Sequence, residues 1–130
     1  MDNEILEKIR ETLSSALGID QEDIRPESSL VRDLGAESID FIDIIFRLEK
    51  TFDIKIPNGD LFPGSLLNDE RFVSQGRVTE AGLQELKIRV PYLDIENFSK
   101  DPQVTRLGDH FTVQMVMNYL KDRLAKDAKV

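Results

Sequence analysis

The residues of this chain best suited to chemistry are Leu34-Gly35-Ala36-Glu37-Ser38-Ile39-Asp40. Gly35 lets the backbone turn without a Cβ penalty. The turn delivers Ser38 to the start of an apolar and acidic helix, where its hydroxyl is expected to be exposed. A phosphate ester on that hydroxyl would lie beside backbone N–H groups with no acceptor inside the helix. It would also sit at the positive end of the helix dipole. A serine at a helix start is more often simply an N-cap, so these seven residues alone leave both readings open. No carboxylate pair, glycine-rich phosphate loop or metal-ligand spacing rises above chance elsewhere. His110 is the single histidine, and no oriented nucleophile is placed near it. It reads as a surface or capping residue, and no catalytic residue is expected.

The elements that must position Ser38 follow from periodicity. Ile5, Leu6, Ile9, Leu13, Ala16 and Leu17 fall on one face of a helix over residues 3–17, which Asp2 or Asn3 can cap and Gly18 can stop. Residues 18–37 form a long connection anchored by Ile19, Ile24, Leu30 and Leu34. A second helix runs from about Ser38 to Thr51 and is apolar on two sides. Phe41, Ile44, Ile45, Leu48 and Phe52 form one stripe; Ile39, Ile42 and Phe46 form another. Such a helix is either deeply buried or has a partner for its second face. Asp53-Ile54-Lys55-Ile56-Pro57 then alternates in an extended way and ends at proline.

Residues 58–110 carry turn signals at Asn58-Gly59 and Pro63-Gly64. Val73 and Val78 flank a hairpin or loop, and a short helix capped by Thr79 follows and closes before Pro91. Phe62, Leu66, Leu67, Phe72, Leu83, Leu86, Tyr92, Leu93 and Phe98 make the segment too apolar for a disordered linker. It is expected to be ordered and packed on the rest. The last helix, from about Thr112 to Lys126, buries Val113, Val116, Met117, Leu120 and Leu124.

Composition narrows the function class. The chain has 130 residues, 40% of them hydrophobic, and carries a net charge of −8. Its charge is −7 over residues 1–57, −3 over 58–110 and +2 over 111–130, so the acid excess surrounds Ser38. Such a surface argues against nucleic acid or an anionic membrane and steers toward basic partners, although acid also simply keeps a small domain soluble. There are no cysteines, so any thiol chemistry needs a cofactor. With neither a transmembrane run nor a signal peptide in view, a cytoplasmic monomer without stable membrane insertion is expected.

Leu34-Gly35-Ala36-Glu37-Ser38-Ile39-Asp40 resembles the phosphopantetheine attachment motif of the acyl carrier protein family, Leu-Gly-x-Asp-Ser-Leu-Asp, with Glu37 and Ile39 as departures. The likeness extends over residues 4–57, through Leu17-Gly18-Ile19, Ser29-Leu30-Val31-Arg32-Asp33 and Leu48-Glu49-Lys50-Thr51-Phe52 to Ile56-Pro57. It resumes at Phe111-Thr112-Val113-Gln114. Lys50 stands where the family often has an acid, and about fifty residues replace a short loop and small third helix.

The resemblance implies an all-α, acyl-carrier-protein-like helical bundle: one carrier domain over 1–130, with an ordered insertion, 58–110, between the second and last main helices. It implies 4′-phosphopantetheine, taken from coenzyme A through a carrier-protein synthase and attached to Ser38, with an acyl group held as a thioester. Glu37, Asp40, Asp43 and Glu49 would face basic docking surfaces of acyl-transfer and acyl-chain-synthesis enzymes, around an apolar centre of Ile39, Ile42 and Phe46. Phe41, Ile44, Ile45 and Leu48 would line an acyl pocket. Helix two looks closer to specialised carriers for the long acyl chains of lipid A in lipopolysaccharide than to the fatty-acid carrier. The alternatives are a peptidyl or aryl carrier, or an unmodified helical adaptor. Coverage of the second apolar face by the insertion and docking of a partner on it are both open.

Overall fold

The computed structural model describes residues 2–57, 61–62 and 66–128, so the expected turns at Asn58-Gly59 and Pro63-Gly64 lie outside the described residues. Helix α1 spans Asp2–Leu17. Ile5, Ile9 and Leu13, spaced four apart, are its buried stripe. Gly18 ends it at φ +68°, donating from its N–H to the Ser14 carbonyl at 2.9 Å. This is the left-handed stop that glycine reaches without strain. Helix α2 spans Ser38–Phe52 and α6 spans Val113–Ala128. Both pack against α1. Ile44, Leu48, Val113, Met115, Val116 and Leu120 meet Ile9 and Leu13 in one core, each almost fully excluded from water.

The segment between α2 and α6 is ordered where it is described, and richer in elements than its periodicity shows. Strands β1 (Val73–Ser74) and β2 (Arg77–Val78) pair antiparallel. Gln75 and Gly76 join them, both at positive φ, as a two-residue hairpin requires. Helix α3 (Glu80–Arg89) starts as expected at Thr79, whose Oγ1 accepts from the Gly82 N–H at 3.1 Å. Gly82 is there for space. A Cβ on it would come within 2.4 Å of the Phe72 carbonyl oxygen and 2.6 Å of Val78 Cγ1. The short helices α4 (Ile95–Ser99) and α5 (Val104–Leu107) had no legible period.

This segment joins the same core as the three long helices. Leu61, Leu66, Leu86, Val90, Phe98 and Leu107 are buried with it. The Tyr92 ring meets Tyr119 of α6 edge-on at 5.5 Å, and its hydroxyl donates to Asp122 of α6. His110 packs its ring against Phe98, so it supports the fold at the start of α6. Burying one such apolar side chain contributes about 1.5–3 kcal/mol before chain entropy opposes it.

A shared core predicts shared unfolding. Phe98→Ala should lower the unfolding free energy by about 3–5 kcal/mol. The tyrosine signal, which reports Tyr92 and Tyr119, and the backbone helix signal should melt together. Two separated transitions in circular dichroism would show that the segment folds apart from the bundle.

Candidate functional site

The site is built by the loop that precedes α2. Ser28 and Ser29 are buried, an unusual place for loop backbone, and among the described residues no buried side-chain N or O lacks a partner. Leu30 N–H donates to the Phe111 carbonyl at 2.8 Å. Val113 and Gln114 N–H donate to the Ser28 and Pro26 carbonyls at 3.0 and 2.8 Å. Ser29 and Thr112 form an isolated antiparallel bridge. The first turn of α6 therefore holds the loop as a strand partner would. Thr112 also caps α6, its Oγ1 accepting from Met115 N–H at 3.1 Å.

The loop then closes on itself. Asp33 and Leu34 N–H both donate to the Ser29 carbonyl at 3.0 Å, and Ala36 N–H donates to the Leu30 carbonyl at 2.8 Å. Asp33 Oδ2 accepts from Ser29 N–H at 2.7 Å. That backbone bond, helped by neighbouring Arg32, holds the Asp33 carboxyl below the usual carboxylate range. Gly35 turns the chain at φ +75°, with open space where a Cβ would be.

Ser38 is the first residue of α2, and the N-cap place is held by Glu37. The capping reading of Ser38 is thereby overturned: the residue is one position too far along. Glu37 N–H donates to Asp40 Oδ2 at 2.8 Å, and Asp40 N–H donates to the Glu37 carbonyl at 2.9 Å. Asp40, expected on a docking rim, is half-buried and spends one carboxylate oxygen on the helix start. Glu49 is redirected in the same way. It is half-buried, and its Oε2 accepts from Ile56 N–H at 2.9 Å, tying the residues that follow the left-handed C-cap Asp53 back to α2.

The second apolar stripe of α2 is open to water. Ile39 and Ile42 are each 74% exposed and Phe46 54% exposed, so packing within the chain does not account for them. Exposed Glu37 stands at the head of this stripe, and Asp43 beside it pairs with Arg47 at 3.0 Å. Lys50 Nζ lies 4.4 Å from the Phe46 ring centroid, so the departure noted at this position puts a cation at the far end of the face.

Of the four residues expected to line a pocket, Ile44 and Leu48 are fully buried, and Phe41 and Ile45 are half-buried against the same core. Two partners of Phe41 were missed. Its ring lies 4.5 Å from Phe62 and 5.9 Å from Phe111, and those two lie 5.3 Å apart. Phe62 gave only apolar character in a segment without period, and Phe111 entered the sequence reading only through the motif that opens the last helix.

The arrangement suits a covalently tethered phosphodiester. It offers a serine at the first position of a helix, where backbone N–H groups and the helix dipole favour an anion, and a turn with room at Gly35. Among the described residues no His, Cys, Asp and Glu cluster has the spacing to hold a metal ion.

The amino-acid sequence is similar to those of known proteins. A family model described as a phosphopantetheine attachment site matches residues 7–65. An acyl carrier protein of Clostridium acetobutylicum is 38% identical over 65 residues, which are 50% of this chain and 84% of that protein. No solved structure matches the chain.

The Asp33 bond makes a pH prediction. Its folded pKa is depressed, so its stabilisation is present above the unfolded carboxylate value of about 3.9. It is lost as pH falls through the lower folded value. Asp33→Ala should therefore be less stable than the wild type at neutral pH, and the gap should close on acidification. Denaturant midpoints that differ equally at neutral and acid pH would contradict the assignment.

Proposed function

Because the chain belongs to the acyl carrier protein family, we propose that Ser38 is the residue that bears its 4′-phosphopantetheine. The group is covalently attached in this family, and the protein is a carrier, not an enzyme. One observation supports the choice of Ser38 above the rest: it stands at the first position of a 15-residue helix whose cap is supplied by another residue. Attachment replaces the Ser38 hydroxyl proton with the phosphopantetheinyl group of coenzyme A and releases 3′,5′-ADP. When bound, the group supplies a thiol that holds an acyl chain as a thioester, in a chain with no cysteine of its own.

The protein's own residues then have distinct tasks. The loop from Ser28 to Ala36 fixes where Ser38 stands. Asp40 closes the helix start through the Glu37 N–H. A carrier of this kind interacts with the synthase that installs the group and with acyl-transfer enzymes. We assign the contact to the exposed stripe Ile39, Ile42 and Phe46, with Glu37 and Asp43 as its acidic rim. An apolar centre inside a charged rim is the usual anatomy of such contacts. Asp40 and Glu49 add field to this rim but have committed oxygens elsewhere. The described part of segment 58–110 leaves the stripe open, which favours docking over coverage.

The cargo we favour is an acyl chain for lipid biosynthesis, with lipid A acylation as the specialised case. The support is the likeness of the run Ser38–Phe46 and of Ile54-Lys55-Ile56-Pro57 to such carriers. The reading places the protein in the cytoplasm as a monomer. Among the described residues no helix is long and apolar enough to cross a membrane.

Incubation with coenzyme A and a carrier-protein synthase should add one phosphopantetheinyl mass to the wild type and none to Ser38→Ala, with helical circular dichroism unchanged. A mass increase that survives Ser38→Ala would overturn the assignment. Glu37→Lys combined with Asp43→Lys should slow the modification about tenfold or more at low salt, where screening is weakest, and less at high salt. Equal rates at low salt would move the contact to another face.

A further inference from the structure

We propose that Phe62 is a specificity-determining plug: with Phe41 and Phe111 it closes the way from the Ser38 end of α2 into the bundle, so a long acyl chain is left outside the core. This rests on Ser38 as the attachment residue. Residues three and four apart share a helix face. Ser38 therefore stands one turn before Phe41, and Phe41, Ile44 and Leu48 continue that row inward. Ile44 and Leu48 are wholly excluded from water, whereas Phe41 and Phe62 remain half-exposed. A chain entering along this row meets the three rings before it meets the interior.

Phe41 to Phe62 is 4.5 Å at 45°, Phe62 to Phe111 5.3 Å at 57°, and Phe41 to Phe111 5.9 Å at 88°, so each ring contacts the other two. Tilted and edge-on contacts at these separations are the favourable geometries for aromatic pairs. Two of the three rings sit on backbone held by hydrogen bonds. Phe41 is inside α2. Phe111 is buried, its carbonyl accepts from Leu30 N–H at 2.8 Å, and its N–H donates to Gly108. Phe62 belongs to neither a helix nor a strand. It is the ring whose removal opens the passage at least cost to the fold.

The test loads Ser38 with acyl-phosphopantetheine from butanoyl-, octanoyl- and hexadecanoyl-coenzyme A in wild type, Phe62→Ala and Phe62→Leu. The mass of the Ser38 peptide reports loading, and the Tm and the Ile44 and Leu48 methyl resonances report entry. Wild type should show the same Tm for all three cargoes and unmoved methyl resonances. Phe62→Ala should gain about 4 °C or more from the four- to the eight-carbon chain, with shifted Ile44 and Leu48 methyls. Phe62→Leu, which keeps bulk but loses the ring contacts, should show the same trend more weakly. It carries the test if the alanine variant does not fold. Chain-length dependence in the wild type would overturn the plug, as would its absence in every folded Phe62 variant. An absent mass increase at Ser38 overturns the attachment reading and the plug with it, while a loaded wild type that responds to chain length overturns the plug alone.

Discussion

The structure depends on one demand: the backbone around buried Ser28, Ser29, Leu30, Leu34 and Ala36 must find hydrogen-bond partners away from water. Loops normally avoid this problem by staying on the surface. Here Ser28 and Ser29 are inside, and an unpaired buried amide or carbonyl would cost about 1–3 kcal/mol. The first turn of α6 meets the demand. Phe111 accepts from Leu30, and Val113 and Gln114 donate back to Ser28 and Pro26. Through these bonds the last helix fixes the loop, the loop fixes Gly35 and Ala36, and they fix the first residue of α2.

Two properties of the site follow from that chain of contacts. The backbone that leads into Ser38 is tied by hydrogen bonds, although it belongs to a long connection. The outer face of α2 is also freed from any structural duty. Because α1, α6 and the loop satisfy the buried face through Ile44 and Leu48, Ile39, Ile42 and Phe46 can stay in water. The same logic separates the carboxylates. Glu37 is exposed and Asp43 is half-buried in its pair with Arg47, while Asp40 and Glu49 each accept from a backbone N–H.

Much of this was legible in the sequence because it is local. Helical spacing gave α1, both stripes of α2 and the buried side of α6, and Thr79 and Thr112 marked two helix starts. Gly18 and Gly35 marked backbone with positive φ. The motif around Ser38 is a run of seven adjacent residues, so its order alone carried the resemblance. What stayed hidden joins residues far apart. The bridge between Ser29 and Thr112 and the meeting of Phe41, Phe62 and Phe111 leave no period in the chain. Helices α4 and α5 are five and four residues long, too short for a face to show. The displacement of the N-cap from Ser38 to Glu37 is a single-residue shift, finer than propensity can place.

The most direct test is native-state amide hydrogen exchange at Leu30, Ala36, Val113 and Gln114, set against the central amides of α1. If the loop and the start of α6 hold each other inside the core, all four should open only with global unfolding and share its free energy. Exchange at Leu30 and Ala36 that is orders of magnitude faster than at Ile9 and Leu13 would contradict the account. The serine would then stand on a loop that moves independently of the last helix.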